Sequence, residues 1–289
     1  METVAFYGAG MLGSGFVQAL RRRGVDVRVW NRTFEKAKAL EAYGAHAMRS
    51  PAEAARGASR VHLCLHSDES VDSTLDAALE AIAPGTPVVD HTTVLPQNVV
   101  PRRDRLNARG IAFLHAPVFM GPPNAAAATG LMLASGDQTL FERLRPFLEP
   151  MTGTVWYVGE RADAAAVFKL MGNAMILAVV GGLNDMFTIA QANGIDRASA
   201  YMLFERYDPS GQISGRGKRM SQGDYDPTWT LDMAHKDARL MLDTAQGYDL
   251  HAIGAVERLL REASARGFGA LDLAAIAQVP ASAAEAASP

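Results

Sequence analysis

The chain has 289 residues, enough for two domains of ordinary size, and 48% of them are hydrophobic against 20% charged. Such a composition supplies real hydrophobic cores and excludes a disordered or fibrous chain. Lysines and arginines number 28 and acidic residues 31, so the net charge of -3 gives no reason to expect a nucleic acid partner.

The cysteine content and the first residues of the chain indicate the cellular compartment in which the protein is expected. Cys64 is the only cysteine, which excludes an intramolecular disulfide and a zinc site built from cysteines. Residues 3–8 form a β-like run rather than a basic leader with an apolar core, so no export signal is expected. We therefore expect a cytoplasmic protein that does not act at a membrane.

The first half of the chain alternates short β-branched or aromatic runs with helical patterns. Strands are predicted over 4–7, 25–30, 61–65, 87–90, 111–118, 131–135 and 154–158. Helices are predicted between them over 12–23, 34–43, 70–82, 96–108 and 140–148. Strands and helices in this order join as right-handed parallel crossovers, so the pattern predicts an α/β, doubly wound sheet of the Rossmann type.

After Gly159 the pattern is helical, so we predict a Rossmann domain over 1–160 and an all-helical domain over 161–289. A helix of about 45 Å is predicted from 163 to 192, and residues 210–223 are predicted to form a Gly/Ser-rich loop. The stretch 164–182 is long and apolar, but a lysine near the centre of a bilayer costs about 2.5–3.5 kcal/mol. We interpret it as a helix buried on all sides, partly by a second subunit.

Residues 8–13 match the pattern GxGxxG between the first predicted strand and an amphipathic helix. In this context the first glycine permits a tight turn, the second lets the backbone approach phosphates, and the third allows close packing of helix on strand. The motif predicts a dinucleotide-binding turn, and a packing turn without a ligand is the alternative. Its residues are Gly8, Ala9, Gly10, Met11, Leu12 and Gly13.

The second predicted strand is followed by Asn31, Arg32 and Thr33 rather than by an acidic residue. A carboxylate at this place would bind a free ribose 2′-hydroxyl, whereas a guanidinium can hold a 2′-phosphate. The arginine therefore favours NADP(H) over NAD(H) by about 10–100-fold, from charge-assisted bonds of about 1.5–3 kcal/mol. The alternative is that Arg32 is an ordinary surface residue.

Lys169 and Asn173 are the only strongly polar residues of the stretch 164–182, and their spacing puts them on one helix face, one turn apart. Burying an ammonium without a partner is costly, so its position implies a cavity, a lowered pKa, or both. The alternative is a lysine that extends to solvent along the helix surface.

Together these motifs resemble the β-hydroxyacid dehydrogenases, the family of 3-hydroxyisobutyrate and related dehydrogenases, with 6-phosphogluconate dehydrogenase and imine reductases as more distant relatives. The resemblance runs almost from end to end. Five segments carry it in order, namely 8–37 (the cofactor-binding opening), 90–96 (similar to DxSTxxP), 115–118 (the substrate loop), 159–173 (the catalytic helix) and 235–245 (similar to the KDLxLA helix).

The resemblance implies an NADPH-dependent oxidoreductase that moves a hydride between nicotinamide and a carbonyl or hydroxyl carbon. It places Lys169 as the proton donor and acceptor and Asn173 as a hydrogen-bond donor to the substrate. Further cofactor contacts are expected at Leu65, His66, Thr93 and Lys236. Relatives pair through the helical domain, so the resemblance also implies a homodimer.

Two departures from the family pattern concern the substrate. Phe119, Met120 and Gly121 stand where the family usually has SGG, which holds a carboxylate, and Gly172 replaces the first asparagine of a paired NN. The carboxylate clamp is thus largely missing. We expect residues 119–121 to bind a carbonyl or hydroxy substrate that is less polar than a small hydroxy acid.

Two other functions remain as alternatives. Typical imine reductases carry an acidic or tyrosyl residue in place of Lys169, so the lysine argues against imine reduction. A non-catalytic NADPH-binding module would need neither Lys169 nor Asn173. His62, Cys64 and His66 alternate along one predicted strand, but we expect core and rim positions for them and no metal site.

Overall fold

The computed structural model describes residues 2–279. The chain divides into two compact units, of which the first ends at Asn173 and the second begins at Ala174. Six strands of the first unit form a parallel sheet in the order β3-β2-β1-β4-β5-β6, so the predicted Rossmann-type fold is confirmed. They are β1 (Thr3–Tyr7), β2 (Asp26–Trp30), β3 (His46–Ala47), β4 (Arg60–Leu63), β5 (Val88–Asp90) and β6 (Phe113–His115).

Helices connect these strands. They are α1 (Met11–Arg22), α2 (Phe34–Lys38), α3 (Pro51–Ala55), α4 (Asp68–Ala78) and α5 (Pro96–Asn107). The central strand β1 is apolar at every position from Val4 to Tyr7, because both of its faces are buried. Phe6 packs in the hydrophobic core on one side of the sheet and Tyr7 in the core on the other.

The predicted strand 111–118 is wrong as a single element, because the chain leaves the sheet at Ala116 and Pro117. Proline has no N–H to continue a strand ladder, and residues beyond it join a second sheet. That sheet has the order β7-β8-β9, with β7 antiparallel to β8 and β8 parallel to β9. Its elements are β7 (Val118–Phe119), α6 (Pro122–Ala127), β8 (Leu131–Ala134), α7 (Gln138–Thr152) and β9 (Thr154–Tyr157).

The long helix α8 (Ala164–Ala192) extends across the division at Asn173. The predicted domain boundary near 160 precedes this helix. By length and composition α8 could cross a membrane, and its most apolar 18 residues have a mean hydropathy of 1.8 and are only 17% buried. The described residues of the single chain do not bury α8 completely, since Leu177 is 71% and Val180 57% exposed, and its burial by a second subunit stays a prediction. The exposed apolar side chains between Leu170 and Val180 lie all round this part of α8, and the described residues leave them uncovered.

The described part of the second unit is helical, as predicted. After α8 it contains α9 (Arg197–Tyr201), α10 (Lys218–Gln222), α11 (Leu231–Thr244) and α12 (His251–Ala263). The predicted loop over 210–223 is wrong, because Ile213–Gly217 is π-helical and continues into α10. Arg219 explains this order, since its guanidinium pairs with Asp224 at 3.1 Å and with the buried Asp272 at 3.3 Å.

Candidate functional site

The glycine turn lies between β1 and α1 and has the steric properties that the motif predicts. Gly8 has φ +109°, and a Cβ there would lie within 3 Å of the backbone of Cys64. A Cβ on Gly13 would collide with the carbonyl oxygen of Gly8. Gly10 is the N-cap of α1, and no described heavy atom lies within 4 Å of where its Cβ would be. The turn thus fits a pyrophosphate approaching the helix N-terminus.

Asn31 fixes this turn to the end of β2. The backbone N–H of Ala9 donates to Asn31 Oδ1 at 3.0 Å, and Asn31 Nδ2 donates to the carbonyl oxygen of Thr33 at 2.9 Å. The amide of Asn31 therefore shapes the backbone around the cofactor position. Arg32 and Thr33 are exposed beside it, and Met11 is exposed at the start of α1.

The remaining cofactor candidates of the first unit follow β4, which pairs with β1, and β5, which pairs with β4. Thr92 Oγ1 accepts a hydrogen bond from the Leu65 N–H at 3.0 Å, so Thr92 joins the two strand ends. His66 and Thr93 are exposed at this edge. The sheet therefore brings these residues to the same edge as the glycine turn, where ligands of open α/β sheets bind.

Sequence reasoning missed the charged cluster that holds the segment 90–96. Arg102 is buried and donates to Asp68 and Asp72 at 2.9 Å, and its Nη1 lies 3.9 Å from Asp90 Oδ2. Asp68 also accepts from the Leu95 N–H at 2.9 Å. Burial raises the pKa of Asp90 to about 6, against the opposing effects of its hydrogen bonds and Arg102. The only signal in the sequence was the i, i+4 pair Asp68 and Asp72, which favours a basic partner.

Lys169 and Asn173 lie together near the start of α8. Lys169 Nζ donates to Asn173 Oδ1 at 2.9 Å and lies 4.1 Å from the centroid of the Phe119 ring. Burial lowers the pKa of Lys169, which makes its amine easier to deprotonate than that of an exposed lysine. The half-buried lysine has contacts with a ring face and an amide oxygen and none of the described residues gives it a salt bridge. This arrangement suits reversible proton transfer.

Residues 119–121 are positioned by the contact between α6 and α1. Phe119 ends β7, and Gly121 is the N-cap of α6. A Cβ on Gly15 of α1 would lie 2.8 Å from Ala125 Cβ, so the two helices touch where Gly15 lacks a side chain. The first unit therefore brings the predicted substrate residues to Lys169, through Phe119.

Lys236 lies on α11 in the second unit, where its ammonium pairs with Asp237 at 2.7 Å. The histidine and cysteine candidates lie in different environments. His62 is buried and shares a 2.9 Å hydrogen bond with His91, burial raises the pKa of Cys64 to about 12, and His66 is exposed. No group of three possible metal ligands occurs within residues 2–279.

Two known families match the chain. Residues 3–159 match the NAD binding domain of 6-phosphogluconate dehydrogenase. Residues 163–280 match the NAD-binding domain of NADP-dependent 3-hydroxyisobutyrate dehydrogenase. The first match alone covers more than half of the 289 residues and includes the glycine turn, the Asp90 segment and Phe119.

Individual relatives match over nearly the full length. Glyoxylate/succinic semialdehyde reductase 1 of Arabidopsis thaliana is 26% identical over 283 residues, which are 94% of this chain and 96% of that protein. An uncharacterized oxidoreductase of Shewanella frigidimarina is 29% identical over 256 residues, 87% of this chain and 88% of the relative. The structure of an imine reductase from Myxococcus stipitatus in complex with NADP+ superimposes with a TM-score of 0.90 at 22% identity, covering 96% of this chain and 99% of that one. This last likeness shows the fold.

Proposed function

Because the chain belongs to the NAD(P)-dependent family of 6-phosphogluconate and 3-hydroxyisobutyrate dehydrogenases, whose members are oxidoreductases, we propose that it reduces a carbonyl compound with NADPH, or oxidises the matching alcohol. The observation that carries the proposal is the pair Lys169 and Asn173, hydrogen-bonded at 2.9 Å on the half-buried face of α8. A binding module without chemistry would have no use for an amine in this environment.

The chemistry divides between the cofactor and the chain. When bound, the nicotinamide supplies or takes the hydride. Lys169 donates a proton to the substrate oxygen as negative charge develops there, and takes it back in the alcohol-oxidising direction. Asn173 orients the ammonium through its Oδ1, and its amide nitrogen, which donates to none of the described residues, can donate to the substrate. Burial lowers the pKa of Lys169, so its ammonium gives up the proton more easily than that of an exposed lysine.

The preference for NADPH rests on Arg32. Arg32 is exposed directly after β2. The neighbouring Asn31 side chain is already hydrogen-bonded to the backbone of Ala9 and Thr33, which leaves the cofactor ribose to Arg32. A guanidinium at this position binds a 2′-phosphate through charge-assisted hydrogen bonds, and no carboxylate stands there to repel it.

The substrate is proposed to be less polar than a small hydroxy acid. The segment 119–121 offers an aromatic ring and a thioether where the family motif has a hydroxyl and two glycines. An ionised carboxylate left without a partner there would lose several kcal/mol of hydration. The succinic semialdehyde and glyoxylate of the Arabidopsis relative's name both carry carboxylates, so this chain should differ from that enzyme in specificity.

We also propose a cytoplasmic homodimer as the working form, without nucleic acid, metal or membrane partners. The exposed apolar stretch of α8 between Leu170 and Val180 supports a second copy as its cover, because large exposed apolar surfaces mark association sites in soluble proteins. Lys169 and Asp185 lie on the same helix, and Asp185 is buried and accepts from the Ile253 N–H at 2.8 Å, which favours a protein surface over lipid.

The test is a substrate panel of aldehydes, keto acids, hydroxy acids and cyclic imines, followed through NADPH absorbance. Lys169→Ala should keep the thermal melt and NADPH binding of the native protein and lose about 10²–10⁴-fold in kcat. Near-native activity of this variant on the best substrate would refute the proton-transfer role. No turnover of any compound by the native protein, with NADPH bound, would instead favour a binding module.

Imine reduction on the same scaffold is the second candidate. The missing carboxylate clamp at 119–121 favours it, since a cyclic imine has no carboxylate to be held. The lysine argues against it, because an iminium is already protonated and cationic. An ammonium beside it repels it, whereas the same ammonium stabilises a developing alkoxide. The imine members of the panel decide between the two.

A further inference from the structure

Phe119 and Gly172 occupy one continuous space beside Lys169. A Cβ on Gly172 would lie 2.6 Å from Cε1 of the Phe119 ring and closer still to its Cζ. Real Cβ atoms do not approach other atoms this closely, so the ring fits only because residue 172 has no side chain. Both residues are also departures from the family motifs described above. One departure thus makes room for the other.

The ring that fills this space contacts the ammonium of Lys169. Residues 169 and 172 are neighbours on one helix face, because they are three positions apart. Lys169 Nζ lies 4.1 Å from the ring centroid, within the range of a cation–π interaction, and its other partner is Asn173 Oδ1. Of the three N–H donors of the ammonium, one is given to the amide oxygen and the ring covers another side. The third N–H is therefore directed away from Asn173 and from the ring.

We propose that Phe119 is a positioning residue for Lys169, and that the absent side chain of Gly172 is what seats the ring. The proposal rests on the proposed function, because it gives Phe119 the task of holding the amine that transfers the proton. The negative ring face stabilises the ammonium and opposes the effect of burial, so it favours the charged form of Lys169 and helps to aim the amine at the substrate oxygen. The same ring excludes a second polar side chain and a carboxylate from this side of the amine.

If the Phe119 ring only filled space, replacing it by leucine would leave the reactivity of the Lys169 amine unchanged. Phe119→Leu keeps an apolar side chain of similar reach and removes the ring quadrupole. The reactivity of Lys169 distinguishes the two roles, because only the neutral amine is acetylated. The measurement is competitive labelling with acetic anhydride between pH 6 and pH 11, with peptides quantified by mass spectrometry and the exposed Lys36 as internal reference.

Each variant is normalised to its own alkaline plateau, which removes any change in access to the amine. In Phe119→Leu the normalised reactivity of Lys169 at neutral pH should rise about two- to fivefold, as expected for loss of a half-buried cation–π contact. Gly172→Ala should have the same effect, because the new methyl group displaces the ring. In the double variant the second change should add little, since both act through one contact.

Gly182→Ala is the matched control, since it makes the same substitution in the same helix at a site with no described neighbour within 4 Å. It should leave the reactivity of Lys169 unchanged. The proposal would be overturned if the normalised reactivity of Lys169 were unchanged in Phe119→Leu. It would also be overturned if the two increases in reactivity added fully in the double variant. The labelling does not depend on turnover, so the proposed function is judged separately by the activity of Lys169→Ala. A role in proton transfer could fail while the positioning by Phe119 stands.

Discussion

Acidification from pH 7 to pH 5 should destabilise the first unit, because this unit buries histidines whose pKa is lowered by burial. His62 Nδ1 and His91 Nε2 are 2.9 Å apart in the core, and the other ring nitrogen of His91 lies 2.7 Å from the carbonyl oxygen of Ala116. Burial lowers the pKa of His91 to about 4 and that of His115 to about 3, and it lowers the pKa of His62 as well.

The direction of this effect depends on whether the folded or the unfolded state binds more protons in this pH range. Between about pH 6.5 and pH 4 an unfolded histidine is protonated and the folded His91 is not, so lowering the pH favours the unfolded chain. For His91 the free energy of unfolding should fall by about 2 kcal/mol between pH 7 and pH 5, and His115 should add a similar amount. Asp90 acts in the opposite direction by about 1 kcal/mol, since its raised pKa near 6 lets the folded state bind a proton first.

Urea unfolding at pH 7, 6 and 5 measures this dependence at fixed protein concentration without added cofactor. Trp30 and Trp156 belong to the first unit and Trp229 to the second, so fluorescence in a Trp229→Phe background reports the first unit alone. His91→Gln can keep one hydrogen bond and does not titrate. It should be less stable than the parent at pH 7 but lose about 2 kcal/mol less on acidification. Equal losses in the two proteins would refute the linkage.

Three further outcomes concern the cofactor, the substrate and the assembly. Arg32→Ala should raise the Michaelis constant for NADPH at least about tenfold and leave that for NADH nearly unchanged, and equal changes for both cofactors would contradict the 2′-phosphate assignment. Phe119→Ser combined with Met120→Gly should shift the ratio of kcat/KM towards short hydroxy acids, unless the native protein already prefers them over uncharged carbonyl compounds. Light scattering at micromolar concentration should give twice the single-chain mass, and Leu177→Glu should lower it; a single-chain mass for the native protein throughout would exclude the dimer.

The sequence predicted the fold through features that are local or periodic. The run from Val4 to Tyr7, the glycine turn and the strand ends follow from hydrophobic pattern and backbone sterics, which are encoded within a few residues. The break at Pro117 was missed because the apolar run continues across it, although proline itself carried the signal. Short elements such as β3 and α6 were missed because two to six residues hold no period.

The candidate site also contains features that a local sequence pattern predicts and features that depend on the folded chain. Lys169 and Asn173 were found because they are polar residues one helical turn apart in an apolar stretch, and the resemblance implied their roles. The structure adds that the amine and the amide oxygen are hydrogen-bonded. The contact of Phe119 with Gly172 joins residues 53 positions apart, and no pattern along the chain encodes which ring fills which gap. The buried Arg102 cluster likewise depends on α4 and α5 lying side by side, which is a property of the folded sheet.

The close contact between Gly15 and Ala125 limits which substrate loops can be introduced into this protein to change its specificity. Residue 15 belongs to the helix that opens at the nucleotide turn, and its lack of a side chain lets that helix meet Ala125 directly behind residues 119–121. Grafting a substrate loop from another enzyme would therefore transplant a helix contact as well as a pocket wall. Donor loops whose following helix presents a small residue opposite Gly15 should be accepted, whereas bulkier ones would tilt the helix that carries the phosphate-binding turn. Loop libraries for this protein are best built with position 125 held at alanine or glycine.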